Sequence, residues 1–213
     1  MTFNLTFILA LVTIFPAVVG AWQHNKVDSR FHPFIYAMIL AFINELMFKV
    51  AIVCKWPLIL RFGIYNCYIP LNFYLFALFF SCMGVISRKT MLILLTVVLL
   101  CMAGTAIYLN SISEILMFAA IVSYAIIGIL SANLLGRNVI NPARKRENKF
   151  SFIMSTTALV MCVFLVFIAG YSQLATSSFL FRLDLFKVQA FINAACYLSF
   201  TFAILCLPKT KIY

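Results

Sequence analysis

Glu45 and Lys49 stand one helical turn apart in FINELMFKV, residues 42–50, a run with no other charge. Glu followed by Lys at the fourth residue is the spacing that lets the two meet on one helix face. In hydrocarbon an ionised group costs ~2.5–3.5 kcal/mol on insertion scales, so it is expected to be paired, protonated or turned to water. Glu45 could therefore anchor a cationic group, carry a proton, or neutralise Lys49. Asn44 adjoins it, Asn66 and Asn72 fall in the next apolar segment, Tyr124 lies in a later one, and Gln189 and Asn193 lie in the last. If these segments face a common interior, their side chains make a small polar pocket open to the outside. The same residues also suit a hydrogen-bonded clamp that holds helices in register, with interhelical polar contacts worth ~0.6 kcal/mol on average. Lys49 has a third option, snorkelling toward headgroups at the nearer interface.

Two other clusters could do chemistry. NPARKRENKF, residues 141–150, carries Arg144, Lys145, Arg146 and Lys149, with Arg137 just before it. Such a cluster suits anionic lipid headgroups, or a docking surface for a cytoplasmic protein partner. No base-reading fold accompanies it, so direct sequence-specific nucleic-acid binding is not expected. His24, Asp28 and His32 recur at every fourth residue; on one helix they would share a face and could hold a divalent metal. QHNKVDSRFHP reads instead as a short basic loop, so no metal site is assigned. No P-loop, H-E-x-x-H pair, glycine-rich cradle or nucleophile motif occurs. The last apolar segment also has no lysine in its middle for a retinal-type chromophore. Neither an enzyme nor a cofactor is expected.

The elements that position these residues follow from composition. Apolar residues make up 65% of the 213, charged residues 10%, and mean hydropathy is +1.10. Soluble domains run near 45–50% apolar and roughly 25% charged. With charges clumped between long apolar stretches, the chain is expected to be all-α, a polytopic transmembrane bundle forming a single domain over 1–213. At ~20 residues per span, seven spans are expected near 3–21, 33–54, 62–85, 90–109, 114–135, 151–171 and 187–207. TMLILLTVVLLCMAGTAIYL shows no alternation, which argues against a β-barrel. Trp22 and Trp56 fall at span ends, where amphipathic rings sit. Pro16 and Pro70 are expected to kink their helices. MTFN lacks the basic residue of a signal peptide's n-region, so the first segment is read as a span.

Basic residues set the orientation. Lys26, Arg30, Arg88, Lys89, Arg137, Arg144, Lys145, Arg146, Lys149, Lys209 and Lys211 fall on one side; Lys55, Arg61, Arg182 and Lys187 fall on the other. The richer side is expected to be cytoplasmic, which places the N-terminus outside and the chain in a cell membrane, with a bacterial inner membrane expected. The seven cysteines are scattered without C-x-x-C; Cys54 and Cys67 lie near one face, where a disulfide is an option. A faint internal repeat lays NCYIPLNFYLFAL on NAACYLSFTFAIL. Homo-oligomerisation into a pore is a further option for a chain of this size.

VVGAWQHNKVDSRFHPFIYAMILAFINELM resembles the opening of a group of small bacterial seven-helix membrane proteins of unassigned chemistry. In them a glycine closes span one, a basic loop follows, and an Asn-Glu pair sits in span two. YNCYIPLNFYLFALFF and FINAACYLSFTFAILC are similar to that group's third and last spans, with PLNF standing where an acidic residue is common. The resemblance matches Gly20, Asn44, Glu45, Asn66 and Asn193 without giving any of them a role; the seven-span count and the mid-span polar residues favour a small-ligand transporter or sensor. In size and basic character the chain is also similar to membrane accessory proteins encoded beside type VI CRISPR RNA nucleases. That likeness implies an antiviral-defence accessory docking a cytoplasmic machine.

Overall fold

In the computed structural model, residues 11–109, 117–140, 145–174 and 179–208 are described. Residues 3–10 of the expected first span, 114–116 of the fifth, Arg144, Lys209 and Lys211 lie outside them. The described chain is all-helical: α1 (Ile14–Gln23), α2 (His32–Val53), α3 (Leu58–Cys82), α4 (Arg88–Leu109), α5 (Met117–Ile140), α6 (Lys145–Leu174) and α7 (Phe179–Leu205). Two 3₁₀ turns, His24–Lys26 and Ser29–Phe31, join α1 to α2. Six helices are long and apolar enough to cross a membrane, so this is a helical membrane protein. Helices suit that setting because most backbone N–H and C=O groups pair within the helix.

Local chemistry explains the helix boundaries. The Ser87 hydroxyl caps α4 by accepting from the Thr90 N–H at 3.1 Å. Gly84, at φ +72°, ends α3 in the left-handed conformation, and the Val85 N–H reaches back to the Phe80 carbonyl at 2.9 Å. Lys55 performs the same turn after α2 at φ +52°, with the Trp56 N–H on the Ala51 carbonyl at 2.9 Å. Both are Schellman-type closures, and glycine is the usual residue there. Pro16 sits in the first turn of α1, just after a turn at 12–13 that separates it from helical Leu11, and there its missing N–H would have no intrahelical partner anyway. Pro70 does lie inside α3, where its ring supplies no N–H to the helix ladder.

Helix contacts make a closed ring, α1–α2–α3–α5–α6–α7 and back to α1, with α4 packed only against α3 and α5 at its rim. Only 11% of the apolar window of α4 is buried, so it is a lipid-facing outrigger. The centre of the ring is aromatic. Phe34 is fully enclosed, its ring 6.1 Å from Phe76, 5.7 Å from Phe79, and 5.5 Å from each of Phe150 and Phe200. Most of these contacts are edge-to-face, the arrangement the ring quadrupole favours. Phe31, from the second 3₁₀ turn, extends the array to Phe150 at 5.1 Å.

The array marks one end of the bundle. There the α1–α2 turns, the α3–α4 turn and the α5–α6 ends meet, because Phe31 touches α6 and the Arg137 side chain donates to the Gly84 carbonyl at 2.6 Å. Lys26, Arg30, Arg88, Lys89, Arg137 and Lys149 thus share one end, while Lys55, Arg61 and Lys187 belong to the other.

Candidate functional site

Helical periodicity builds the site. On α2, Phe34, Met38, Ala41 and Glu45 recur at i, i+4, i+7 and i+11, one continuous face. On α3, Tyr65, Tyr68, Asn72 and Phe76 follow at i, i+3, i+7 and i+11, and on α7 Gln189, Asn193, Tyr197 and Phe200 follow at i, i+4, i+8 and i+11. At 1.5 Å per residue Glu45 lies ~16 Å from Phe34 along the axis, near mid-bundle. The interior therefore changes character with depth: phenylalanines toward the basic end, then a cavity, then tyrosines and a carboxylate, then amides toward the other end.

The cavity is lined by Met38, Ala41, Tyr68, Asn72, Phe76, Tyr124, Ile127, Ala158, Met161, Cys162, Tyr197 and Phe200. Its volume is about 20 Å³, room for one water. Asn72, almost fully buried, presents there an Oδ1 with no hydrogen-bond partner. Above it, the hydroxyls of Tyr65 and Tyr124 pair, as do those of Tyr68 and Tyr197. Glu45, half-buried, acts electrostatically on Tyr65, Tyr68 and Tyr197. Its carboxylate makes no hydrogen bond with the described residues. A pair of hydroxyl dimers beside one carboxylate can bind a water, a proton or a cation.

The chain matches no family model, no curated protein and no solved structure.

The expected site is thus partly assembled. Asn72 and Tyr124 line the cavity, and Glu45 sits one turn beyond it. Lys49 comes within electrostatic reach of Glu45, but the expected clamp does not close: no ion pair forms within 4.0 Å. Glu45 lies on the inward face with the tyrosines, whereas Lys49 lies a turn nearer the end of α2, where a long side chain can leave the interior. Asn44 is buried with an unpartnered Oδ1, yet it is turned ~100° from Glu45 on the helix and lines no part of the cavity. Asn66 is buried one residue past Tyr65, off the cavity-lining face. Asn193 and Gln189 stand one and two turns beyond Tyr197; the Asn193 Oδ1 is enclosed and unpartnered. Sequence reasoning missed Tyr65, Tyr68 and Tyr197. Their signal was their helical spacing from Asn72 and Asn193.

The other clusters resolve differently. His24, Asp28 and His32 do not share a helix face, since two 3₁₀ turns break the segment. The two imidazoles stack at 4.0 Å; His24 Nε2 pairs with the Tyr36 hydroxyl at 2.7 Å, and His32 Nε2 donates to the His24 carbonyl at 3.0 Å. Asp28 is bound by the Arg30 guanidinium at 3.1 Å and the Arg30 N–H at 2.9 Å, which holds its carboxyl below the usual range. These contacts occupy the would-be ligands, and no three metal-ligating side chains cluster among the described residues. Arg137 is spent on the Gly84 carbonyl, Lys149 is exposed, and Lys145 and Arg146 open α6. Cys54 and Cys67 are free thiols. The optional disulfide is absent because Cys67 lies nine residues into α3 while Cys54 caps α2.

Proposed function

We propose that this chain is a small-ligand transporter or sensor of a cell membrane, and that its working site is the interior around Glu45. In this reading the chain makes seven spans, with its N-terminus outside and its C-terminus cytoplasmic. The observation that carries it is the carboxylate itself: Glu45 stands among paired tyrosines in the middle of an apolar bundle, with no ion-pair partner among the described residues. A purely structural carboxylate at that depth would be expected to close on a cation or a donor. The grouping of the basic loops at the phenylalanine end supports the orientation, and it makes the amide-lined end of the interior the outward mouth. With room for only one water, this is a closed conformer, and a larger ligand requires the helices to part above Tyr65 and Tyr197. The rival reading, a cytoplasmic docking accessory, finds Arg137 already engaged.

The test is a thermal-shift panel on protein in lipid nanodiscs, using small amines, amino acids, sugars and inorganic cations. At least one compound should raise the melting temperature of wild type but not of Glu45→Gln. A panel that treats both proteins alike would sink the reading.

A further inference from the structure

The geometry points to a proton as a ligand of the interior site: we propose that Glu45 binds and releases one from the amide-lined end, and that the surrounding tyrosines transmit its charge state to the cavity. This rests on the reading of the interior as the working site. Glu45 is the one carboxylate inside the bundle among the residues whose side chains are described. A divalent cation would want six or more oxygens with several carboxylates, and an organic cation would not fit beside a cavity that holds one water.

The groups that face Glu45 can be named element by element. Lys49 follows it on α2, α3 brings Tyr65 and Tyr68, α7 brings Tyr197, and α5 brings Tyr124 through its bond to Tyr65. α6 offers the Cys162 thiol at the cavity wall, and α1 carries no titratable side chain. Each tyrosine hydroxyl has one hydrogen to give. Each tyrosine pair uses one hydroxyl hydrogen and leaves one uncommitted, and while Glu45 is ionised its field biases where that hydrogen points. When hydronium at the mouth gives its proton to Glu45, the charge falls from −1 to zero and the hydroxyls are released. Tyr68 is then free to turn to the unpartnered Asn72 Oδ1, one turn along the same face. No covalent bond of the protein breaks; one O–H forms on Glu45 and one is lost from hydronium.

The measurement is an infrared difference titration of the protein in lipid bilayers over roughly pH 4 to 10, a window wide enough for a displaced carboxyl. Wild type should gain a carboxylic C=O band on acidification that vanishes entirely in Glu45→Gln and persists, displaced, in Glu45→Asp. A tyrosine band should move with the same midpoint, disappear in Glu45→Gln, and weaken in Tyr68→Phe and Tyr197→Phe, where the carboxyl band remains. A wild-type titration indistinguishable from that of Glu45→Gln overturns the proposal, as does a tyrosine signal that survives in Glu45→Gln. A compound that stabilises only wild type, together with a silent titration, would keep the interior site and remove the proton from it. Failure of both would remove the site.

Discussion

Replacing Phe34 with Ala tests whether the aromatic array, rather than general greasiness, holds the ring of helices together. Phe34 is 0% exposed, whereas Phe202, on the outer face of α7, is 64% exposed and serves as the control. In soluble cores Phe→Ala costs ~3–5 kcal/mol, much of it the transfer of a ring from water. That part largely vanishes in a bilayer, because a separated helix leaves its side chains in lipid as apolar as the core. What remains is packing: four ring contacts, each roughly 0.5–1.5 kcal/mol beyond area, and not additive because they share one ring. The expected cost is ~2–4 kcal/mol for Phe34→Ala. Phe34→Leu, which keeps most of the volume and loses the edge-to-face geometry, should cost ~1–2 kcal/mol. Phe202→Ala should stay within about 0.5 kcal/mol. Reversible unfolding in mixed micelles of increasing SDS fraction, followed by the fluorescence of Trp22 and Trp56, measures all three. Phe34→Ala and Phe202→Ala with equal midpoints would refute the reasoning and move the source of cohesion to the helix rim.

Lys55 pays for a left-handed backbone that glycine adopts without strain, so Lys55→Gly should stabilise the fold by ~0.5–1 kcal/mol in the same unfolding assay; a loss would mean the Lys55 side chain itself is holding the turn. Single-cysteine variants read the orientation. Cys54, at the end of α2 beside Lys55, should react with a membrane-impermeant maleimide on intact cells, and Cys82, at the basic end of α3, only after permeabilisation; the reverse order would invert the proposed topology. The Asp28–Arg30 pair gives a pH dependence of known sign. Because Arg30 depresses the Asp28 pKa in the folded chain, its stabilisation is full above the ordinary carboxylate pKa and is lost as pH falls through the depressed one. Both side chains are partly exposed, so the loss should stay under ~1 kcal/mol, and Asp28→Asn should abolish that acid step in a melting-temperature titration.

How much of this was legible in the sequence depends on the kind of signal. Charge placement and apolar run length found the helices because lipid leaves the backbone no alternative; α2, α3 and α7 end at Val53, Cys82 and Leu205, against expected ends at 54, 85 and 207. Span one was expected over 3–21; its described part is helical at Leu11, turns at 12–13 and runs on as α1 from Ile14 to Gln23. The basic cluster was read as one surface, yet the exposed Arg137 donates to a carbonyl 53 residues away on the α3–α4 turn, a pairing that no local pattern encodes. The histidine spacing suggested a shared face and failed because two 3₁₀ turns rotate the chain between the ligands.

The interior site shows the same division more sharply. Glu45 was conspicuous because charge is scarce in this chain, so its rarity carried information. The tyrosines were not, because nine Tyr and 23 Phe in 213 residues make any aromatic look like lipid-facing or packing material. Only the ring closure of α1 on α7 brings Tyr197 across from Tyr68, and that closure is a property of packing between helices far apart in sequence. Lys49 looked like the partner by spacing alone. A fourth-residue pair, however, competes with whatever the neighbouring helices supply, and here they supply hydroxyls at mid-depth while the end of α2 gives the ammonium an exit. Polar residues of low abundance therefore located the site, and helix faces decided its composition. If that logic holds, Tyr197→Phe should perturb the response of Glu45 more than Lys49→Gln does, although Lys49 is four residues away in sequence and Tyr197 is on the last helix. The opposite ranking in the infrared titration would restore the local pair as the working unit.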